Sequence, residues 1–367
     1  MRLAKLTGPT AGAALLLPLL LLLLAGMACA QRAGAQEYRW RMATIDHETG
    51  VYFTQIAKPF AAWVERLTQG RMVIEPLPAG TVGNIFKLHE AVSDGLVEMA
   101  NAPPSFLGIA DPVNAMIAGF PTGLGADAFH AWLYTGGGKE LWEGHRHATM
   151  AMHPLIVGSG PSEFFAHSHV PIHSVADLKG LKFRTLGNWA AVVKDKFEGS
   201  PTTVPGSEVY GLLEKKGLDL AEYSMPSENL AQGYHEIAKY IIYPGIHAPA
   251  WAFEAVMPLE TWEELPDDIK AAMEAAARIV THDSFLHIIR NDLEAVEKLR
   301  QGNNEWIKLD DQFIQDARKA AREWAMEAAE RAKAEGNEWP EKVARSIFEF
   351  QDSWIENARY LVVDHTD

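Results

Sequence analysis

The sequence predicts an α/β protein with two lobes, parallel-rich sheets and long C-terminal helices. Strand-like runs alternate with stretches of helical spacing and short joints, an order that is typical of parallel sheets. From residue 266 onward the pattern is almost wholly helical. Some 330 residues follow the N-terminal segment, which is enough for two lobes of ordinary domain size.

The first 35 residues predict an export signal rather than part of the fold. A basic start and an apolar, leucine-rich run over residues 11–27 precede small residues around Ala30 and Ala35, which is the layout that signal peptidase requires. A membrane anchor is the alternative, but Pro18 interrupts the run. The single cysteine, Cys29, lies in this segment, and its fate, removal or attachment of lipid, stays open here.

Net charge restricts the class of partner. Residues 36–367 contain 30 basic and 48 acidic residues, a net charge of −18. This charge argues against nucleic acid or anionic lipid as a partner, whereas a small anion in one local basic pocket remains compatible with it. If Cys29 is removed, neither disulfides nor a thiolate metal site stabilise the chain.

The mature chain begins with a predicted β-α-β unit. Strands over residues 38–44 and 71–75 enclose a helix whose apolar residues recur at helical spacing. Asn84 caps a further helix, and a strand over residues 97–100 follows it. Phe106 lies in the loop at the carboxyl end of this strand, which is where open α/β sheets bind ligands. We expect either a ligand contact from Phe106 or a plain connection.

The second lobe is expected to include a short buried strand that ends at Arg184. Leu181 and Phe183 alternate with polar residues, which is the period of a half-buried strand. A guanidinium at the end of such a strand can bind a carboxylate through two parallel hydrogen bonds. The alternative role is a salt bridge to a surface carboxylate. A strand over residues 156–158 is predicted where the chain enters this lobe, and further strands are predicted over residues 218–223 and 240–243.

Aromatic and charged side chains recur at loops that follow predicted strands, a composition typical of a small-anion pocket between lobes. The candidate ligand contacts are Arg184, Phe106, Glu163, Trp189, Tyr223 and His247. No Gly-x-Ser-x-Gly nucleophile motif occurs. The histidines at 167, 169 and 173 lack the cysteines or clustered carboxylates of a zinc site, so we expect solvent-facing loop histidines.

The C-terminal helices exceed what two small lobes need as cover. They either brace the lobes or form a dimer contact through Phe348, Phe350, Trp354 and Tyr360. In the resulting division, residues 37–157 and about 249–285 form lobe I, residues 158–248 form lobe II, and residues from about 286 to 367 form the C-terminal helices.

Four runs resemble the solute-binding proteins (DctP-like) of tripartite ATP-independent periplasmic (TRAP) transporters, in particular the branch that binds 2-oxo and 2-hydroxy acids. They are residues 90–95 (EAVSDG), 131–138 (AWLYTGGG), 177–184 (DLKGLKFR) and 243–247 (YPGIH). Their combination in this order is specific and covers nearly all of the mature chain. The resemblance implies a hinge-linked fold of the type II periplasmic binding proteins, which closes around a carboxylate and delivers it to a membrane permease.

The resemblance also implies roles for individual residues. Arg184 stands at the position of the arginine that clamps the ligand carboxylate, and Glu222 at that of an acidic cation ligand. Three positions depart from the family pattern: Glu163 stands where the oxo-acid branch has an amide, Tyr223 where it has tryptophan, and Ala248 where it has a further cation ligand.

These departures leave the need for a cation open. Glu163 and Glu222 offer two carboxylates to a hard cation such as Ca²⁺ or Na⁺, whereas the loss of a ligand at Ala248 weakens the site. Alternatively, Glu163 neutralises Arg184 or accepts hydrogen bonds from a hydroxyl or ammonium of the ligand. We therefore expect a periplasmic binding protein for a small carboxylate with no obligate metal and no other cofactor. A secreted enzyme acting on the same acids is the alternative.

Overall fold

The structure, a computed structural model that describes residues 37–107 and 111–361, has two lobes built on two separate sheets. It confirms the predicted α/β fold with parallel-rich sheets and long C-terminal helices. The export signal predicted over residues 1–35, with Cys29, lies outside the described residues. None of the helices in the described ranges combines the length and the apolar character needed to cross a membrane.

In chain order, the strands are β1 (Tyr38–Thr44), β2 (Met72–Leu77), β3 (Met99–Ala102), β4 (Met152–Gly160), β5 (Ala166–Ser168), β6 (Lys182–Arg184), β7 (Ser200–Thr202), β8 (Leu220–Ala221), β9 (Tyr240–Tyr243), β10 (Trp251–Pro258) and β11 (Glu305–Lys308). The α-helices are α1 (Lys58–Leu67), α2 (Leu88–Ser93), α3 (Pro112–Ala118), α4 (Ala126–Thr135), α5 (Gly138–Met150), α6 (Gly187–Phe197), α7 (Gly206–Glu214), α8 (Pro226–Ala231), α9 (Tyr234–Ile237), α10 (Leu259–Glu264), α11 (Asp267–Arg300), α12 (Asp311–Ala334) and α13 (Trp339–Asn357). A π-helical turn (Phe53–Ala57) precedes α1.

Lobe I contains a sheet with the strand order β2-β1-β3-β10-β4. Strands β1, β2 and β3 pair in parallel, and β10 is antiparallel to both of its neighbours. Along β1, the buried Trp40 and Met42 alternate with exposed arginines, as the period of a half-buried strand predicts. Strand β10 was not predicted, because seven of its eight residues are buried and no alternation marks it.

Lobe II contains a sheet with the order β11-β9-β5-β8-β6-β7, in which β5 is antiparallel to both neighbours and the other pairs are parallel. Strand β5 corrects the expectation of solvent-facing histidines, because His167 lies on it and is 1% exposed. His169 is partly buried and bonds the Leu213 carbonyl at 2.8 Å, whereas His173 is exposed. The C-terminal segment, predicted to be almost wholly helical from residue 266 onward, also contributes a strand, β11.

The 34-residue helix α11 connects the two lobes. Met273 and Val280 pack in the core of lobe I, and Leu299 packs in a cluster of lobe II. Between them, Asp292 accepts a 2.9 Å hydrogen bond from the backbone nitrogen of Ser227 in α8. The helix is therefore in contact with both lobes along its length.

Helices α12 and α13 pack on the chain itself. Phe313 on α12 contacts Phe165 of lobe II with ring centroids 5.6 Å apart. Phe348 on α13 contacts Phe120 of lobe I at 5.3 Å. These contacts correspond to the brace, one of the two roles expected for the C-terminal helices.

Candidate functional site

A cavity of about 710 Å³ lies between the two lobes. The residues predicted as ligand or cation contacts all line it: Phe106, Glu163, Arg184, Trp189, Glu222, Tyr223 and His247. A cavity of this size is typical of sites for small organic molecules. The structure thus brings the predicted residues together, and the role of each stays a prediction.

Strand pairing brings Arg184 and Glu222 to the same edge of the lobe II sheet. Strands β6 and β8 run in parallel with Arg184 opposite Ala221, so Glu222 is the next residue beyond the strand. Arg184 Nη1 donates to the backbone oxygen of Glu222 at 2.7 Å and to Glu222 Oε2 at 3.1 Å. Because both strands end here, the ion pair faces the cavity rather than the lobe interior.

Arg184 is fixed in place but keeps an unused donor. The residue is 3% exposed, and its Nη2 donates to the Val204 carbonyl at 3.3 Å. Within the described residues, Arg184 Nε has no hydrogen-bond partner. The ring centroid of Tyr223 lies 6.0 Å from the guanidinium carbon. The guanidinium is therefore preorganised, and its Nε and Nη2 retain N–H groups that the bonds described here do not use.

Glu163, Glu222 and His247 form a cluster in which one ligand atom from each residue lies within 4.8 Å of the other two. His247 Nε2 is 3.2 Å from Glu163 Oε2 and 4.0 Å from Glu222 Oε2. Because an ionised carboxylate only accepts hydrogen bonds, Nε2 donates to Glu163. His247 Nδ1 has no hydrogen-bond partner in the described part of the chain. Glu163 pairs with His247 here, and Glu222 takes the pairing with Arg184 that was an alternative expectation for Glu163.

Gly245 allows the segments of Glu163 and His247 to approach each other. A Cβ atom at position 245 would lie 2.2 Å from the backbone oxygen of Glu163, so a larger residue would force the two segments apart. The backbone nitrogen of Glu163 also donates to the Ala248 carbonyl at 3.3 Å. The run 243–247 therefore positions the imidazole against the carboxylate.

The wall of the cavity in lobe I is aromatic. The ring centroid of Tyr52 lies 4.7 Å from that of Phe253 and 5.6 Å from that of Trp251, both on β10. The indole of Trp251 packs directly against Gly160 on β4, because a Cβ atom at position 160 would lie 2.0 Å from the indole. These rings were absent from the predicted site, since the only sequence signal for them is the aromatic content of residues 251–253.

A hydrogen bond joins the two lobes next to the cavity. Tyr52 Oη lies 2.9 Å from Ser224 Oγ and 3.3 Å from the sulfur of Met225. Burial, above all, raises the pKa of Tyr52 well above its usual value, so the phenol is neutral and able to donate. Because Ser224 lies on the loop of Glu222, the loop that holds Arg184 is in contact with lobe I.

Acidic groups outnumber basic ones around the cavity. Asp46 and Glu228 line it in addition to Glu163 and Glu222. Among the described lining residues, Arg184 is the only lysine or arginine. Burial and, next, the charge of Asp46 raise the pKa of Glu228, as expected for a carboxylate with little compensating positive charge.

His167 lies behind the site rather than in it. It pairs across β5 and β8 with Ala221, the residue before Glu222. In the part of the chain that the structure describes, neither ring nitrogen has a hydrogen-bond partner. Burial and, next, the charge of His235 lower the pKa of His167 to about 3, so the ring is neutral at ordinary pH.

Known proteins similar to this chain are periplasmic binding proteins. A monocarboxylate 2-oxoacid-binding periplasmic protein of Nostoc sp. is 27% identical over 289 residues, which cover 78% of each chain. A TRAP transporter solute-binding protein of Bordetella bronchiseptica, a mixed occupancy dimer with copurified calcium and picolinate, has a TM-score of 0.80 at 23% identity, over 89% of this chain and 96% of that one. A second one, from Pseudoalteromonas atlantica with bound sodium and pyruvate, has a TM-score of 0.81 at 24% identity, over 90% and 100% of the two chains.

These relatives are binding proteins rather than enzymes, so the alternative of a secreted enzyme is not supported. Residues 43–331, most of the chain, match the model of the DctP family, described as bacterial extracellular solute-binding protein, family 7. The resemblance seen in the sequence is thereby confirmed. This chain belongs to the DctP family of bacterial extracellular solute-binding proteins.

Proposed function

We propose that this protein is the periplasmic solute-binding component of a TRAP transporter. It captures a small carboxylate between its lobes and delivers it to a membrane permease. Family membership and the similarity to the Nostoc protein support this proposal. The export signal expected over residues 1–35 provides the route to the periplasm.

The observation that carries the proposal is the state of Arg184. It is buried at the cavity wall, its guanidinium is held by its own lobe, and its Nε–H has no partner in the described residues. A preorganised guanidinium binds a carboxylate with little further loss of side-chain freedom. In this proposal the remaining contacts to the ligand come from Phe106, Glu163, Trp189, Tyr223 and His247.

We propose that a positive charge accompanies the carboxylate into the cavity. Four lining carboxylates surround the one guanidinium among the described lining residues, so a further carboxylate alone would meet repulsion from them. The cluster of Glu163, Glu222 and His247 provides ligand atoms within 4.8 Å of one another for a positive group. A Ca²⁺ or Na⁺ ion in this cluster would be held by the two glutamates, and the solved relatives that contain calcium or sodium make these ions the ones to test.

Lobe closure is the proposed capture mechanism. The division into lobe I (residues 37–157 and about 249–285), lobe II (residues 158–248) and bracing C-terminal helices puts one chain crossing within β4 and another just before β10, in addition to the crossing along α11. Crossings of this kind absorb hinge motion. In this proposal, contacts between the lobes, such as Tyr52 with Ser224, stabilise the ligand-bound form. The homodimer is proposed at the exposed end of α13 near Tyr360, because Phe348 already packs on the chain's own core.

Thermal unfolding with a panel of mono- and dicarboxylates, each with and without chelator, tests the proposal. A ligand that binds the folded state alone stabilises it by about 2.7 kcal/mol at a hundredfold excess over the dissociation constant. We expect a rise in the unfolding temperature for at least one acid class and loss of that rise in Arg184→Ala. Arg290→Ala, which changes an exposed arginine of α11, is the matched control and should keep the response. An absence of any rise would contradict the proposed function.

A further inference from the structure

We infer that the solute carries an ammonium group beside its carboxylate, so that the ligand itself supplies a positive group to the two carboxylates in the cluster of Glu163, Glu222 and His247. This inference rests on the proposed function and names its substrate class, which is an amino acid or a related zwitterion instead of a simple 2-oxo acid.

The cluster has an excess of hydrogen-bond acceptors. Each ionised carboxylate can accept about four hydrogen bonds, whereas Glu163 receives one from His247 at its side chain and Glu222 receives one from Arg184. An ammonium group provides three donors and no acceptor. The oxygen of a 2-oxo acid provides acceptors alone and would therefore be repelled by the two carboxylates.

One small ligand can reach both Arg184 and the cluster. Glu222 belongs to both. Its Oε2 accepts a hydrogen bond from Arg184 at 3.1 Å, and one of its carboxylate oxygens lies within 4.8 Å of a ligand atom of Glu163 and of His247. A carboxylate at the guanidinium and a positive group at Glu163 are thus neighbours, as they are on adjacent atoms of an α-amino acid. The rings of Tyr223 and Trp251 line the same cavity, and aromatic faces add cation–π attraction to an ammonium.

A hard metal ion fits the same cluster less well. Calcium takes about six to eight oxygen ligands, and the cluster has two carboxylates and one imidazole nitrogen. Ala248 adds no side-chain oxygen. Hard cations prefer oxygen to imidazole nitrogen, so His247 stands where a further oxygen ligand would be needed. The donor set therefore favours an ammonium over Ca²⁺ or Na⁺.

The test compares acids that differ only at the second carbon. Alanine, lactate and pyruvate form one series, and phenylalanine, phenyllactate and phenylpyruvate form a larger one. Calorimetry is performed on protein dialysed extensively against chelator, and again after addition of calcium. In the series that binds, we expect the amino acid to bind at least about tenfold more tightly than its 2-oxo partner, with no effect of chelator or calcium.

Glu163→Gln isolates the residue that carries the inference. It keeps the shape of the side chain and removes one negative charge, so the amino acid should lose about tenfold in affinity while the 2-oxo acid loses none or gains. Glu228→Gln removes the same charge from the lining but outside the cluster. It should shift all acids in the same direction and keep their order.

Each outcome separates the inference from the proposed function. A 2-oxo or 2-hydroxy acid that binds as tightly as its amino acid, or binding that requires added metal, overturns the inference and leaves the proposed function standing. Retention of the amino-acid preference in Glu163→Gln overturns the role of that residue. If no acid in either series or in the wider panel binds, the proposed function fails and the inference fails with it.

Discussion

Two buried arginine–glutamate pairs, one in each lobe, have the same chemistry and different surroundings. In lobe I, Arg146 on α5 and Glu254 on β10 are both 0% exposed, with Nη2 and Oε1 2.7 Å apart. In lobe II, the side chains of Arg184 and Glu222 are 4% and 5% exposed, and their closest atoms are 3.1 Å apart. The pair in lobe II lines the cavity, whereas the pair in lobe I does not.

The difference lies in how completely each pair is satisfied. Every side-chain nitrogen of Arg146 has a partner, with Nε bonded to Glu254 and Nη1 bonded to Asn114. Glu254 also accepts bonds from His89 Nε2 at 2.8 Å and Trp142 Nε1 at 2.7 Å. Arg184 keeps an unengaged Nε within the described residues. A complete network stabilises one arrangement, and an incomplete one at a cavity wall leaves capacity for a ligand.

The largest loss of stability is expected for Arg146→Ala. The charge of Glu254 would remain buried without its partner, which costs about 3–5 kcal/mol of unfolding free energy. Burial raises the pKa of Glu254, but Arg146 and then His89 outweigh it and lower that pKa to about 2, so Glu254 remains charged in the wild type at neutral pH. Urea denaturation at pH 7 measures the loss.

The double variant Arg146→Met with Glu254→Leu distinguishes an unpaired charge from lost packing. Replacement of a whole buried pair by apolar residues is often neutral, so the double variant should be more stable than Arg146→Ala. A double variant as unstable as the single one would mean that shape, and not charge, makes the lobe I pair important.

A smaller loss of stability is expected for Arg184→Ala, about 1–2 kcal/mol. Glu222 lines the cavity, so solvent can hydrate its carboxylate once the guanidinium is gone. Urea denaturation under the conditions used for Arg146→Ala allows a direct comparison. A loss as large as that of the lobe I variant would contradict the contrast between the two pairs and would make Arg184 a structural residue.

Sequence patterns predicted the lobe II pair better than the lobe I pair, for a physical reason. Arg184 ends a strand with clear alternation and belongs to a run with a family resemblance. Arg146 lies between two histidines on a helix, and its role depends on Glu254, which is 108 residues away. Local patterns report which face a residue occupies, but they do not report which distant partner meets it.

The same limit explains which parts of the site were missed. Glu163 and His247 were both predicted to line the pocket, but their pairing across 84 residues was not. The aromatic wall depends on β10, whose continuous burial between β3 and β4 leaves no alternation in the sequence. Tyr52 precedes a π-helical turn, for which no sequence period was available. The parts of the site that were not predicted are therefore those that depend on contacts between residues far apart in the sequence.

Two buried histidines, one in each lobe, extend the comparison to the dependence of stability on pH. Burial is the main cause that lowers the pKa of both His153 in lobe I and His167 in lobe II to about 3. Below the usual value of 6.5 the unfolded chain binds a proton that the folded ring does not. The free energy of unfolding therefore decreases as the pH is lowered from about 6.5 to 3, by about 1.4 kcal/mol per pH unit for each such histidine.

His167→Phe should remove one histidine's share of this slope. His153 bonds His147 at 3.0 Å, whereas His167 packs between Phe164 and Tyr234, so phenylalanine suits the lobe II position. Urea midpoints at pH 7.5, 6, 5 and 4 measure the slope. His282→Gln, at an exposed position of α11, serves as the control. An unchanged slope in His167→Phe would mean that His167 takes up a proton in the folded state.

The smallest effect, a modest loss of ligand affinity, is expected for Tyr52→Phe, where lobe I contacts the loop that contains Glu222. Tyr52→Phe keeps the ring against Phe253 and removes the hydroxyl that bonds Ser224. One neutral hydrogen bond contributes about 0.5–1.5 kcal/mol, so affinity for the tightest acid of the panel should fall roughly two- to tenfold. Because the bond joins the lobes, the loss should appear as faster dissociation. Tyr38→Phe, on β1 and outside the cavity lining, should bind as the wild type does. A dissociation rate in Tyr52→Phe equal to that of the wild type would mean that the loop of Glu222 closes on its ligand without this hydroxyl. The contact between lobe I and the loop of the Arg184–Glu222 pair would then depend on packing of the ring alone.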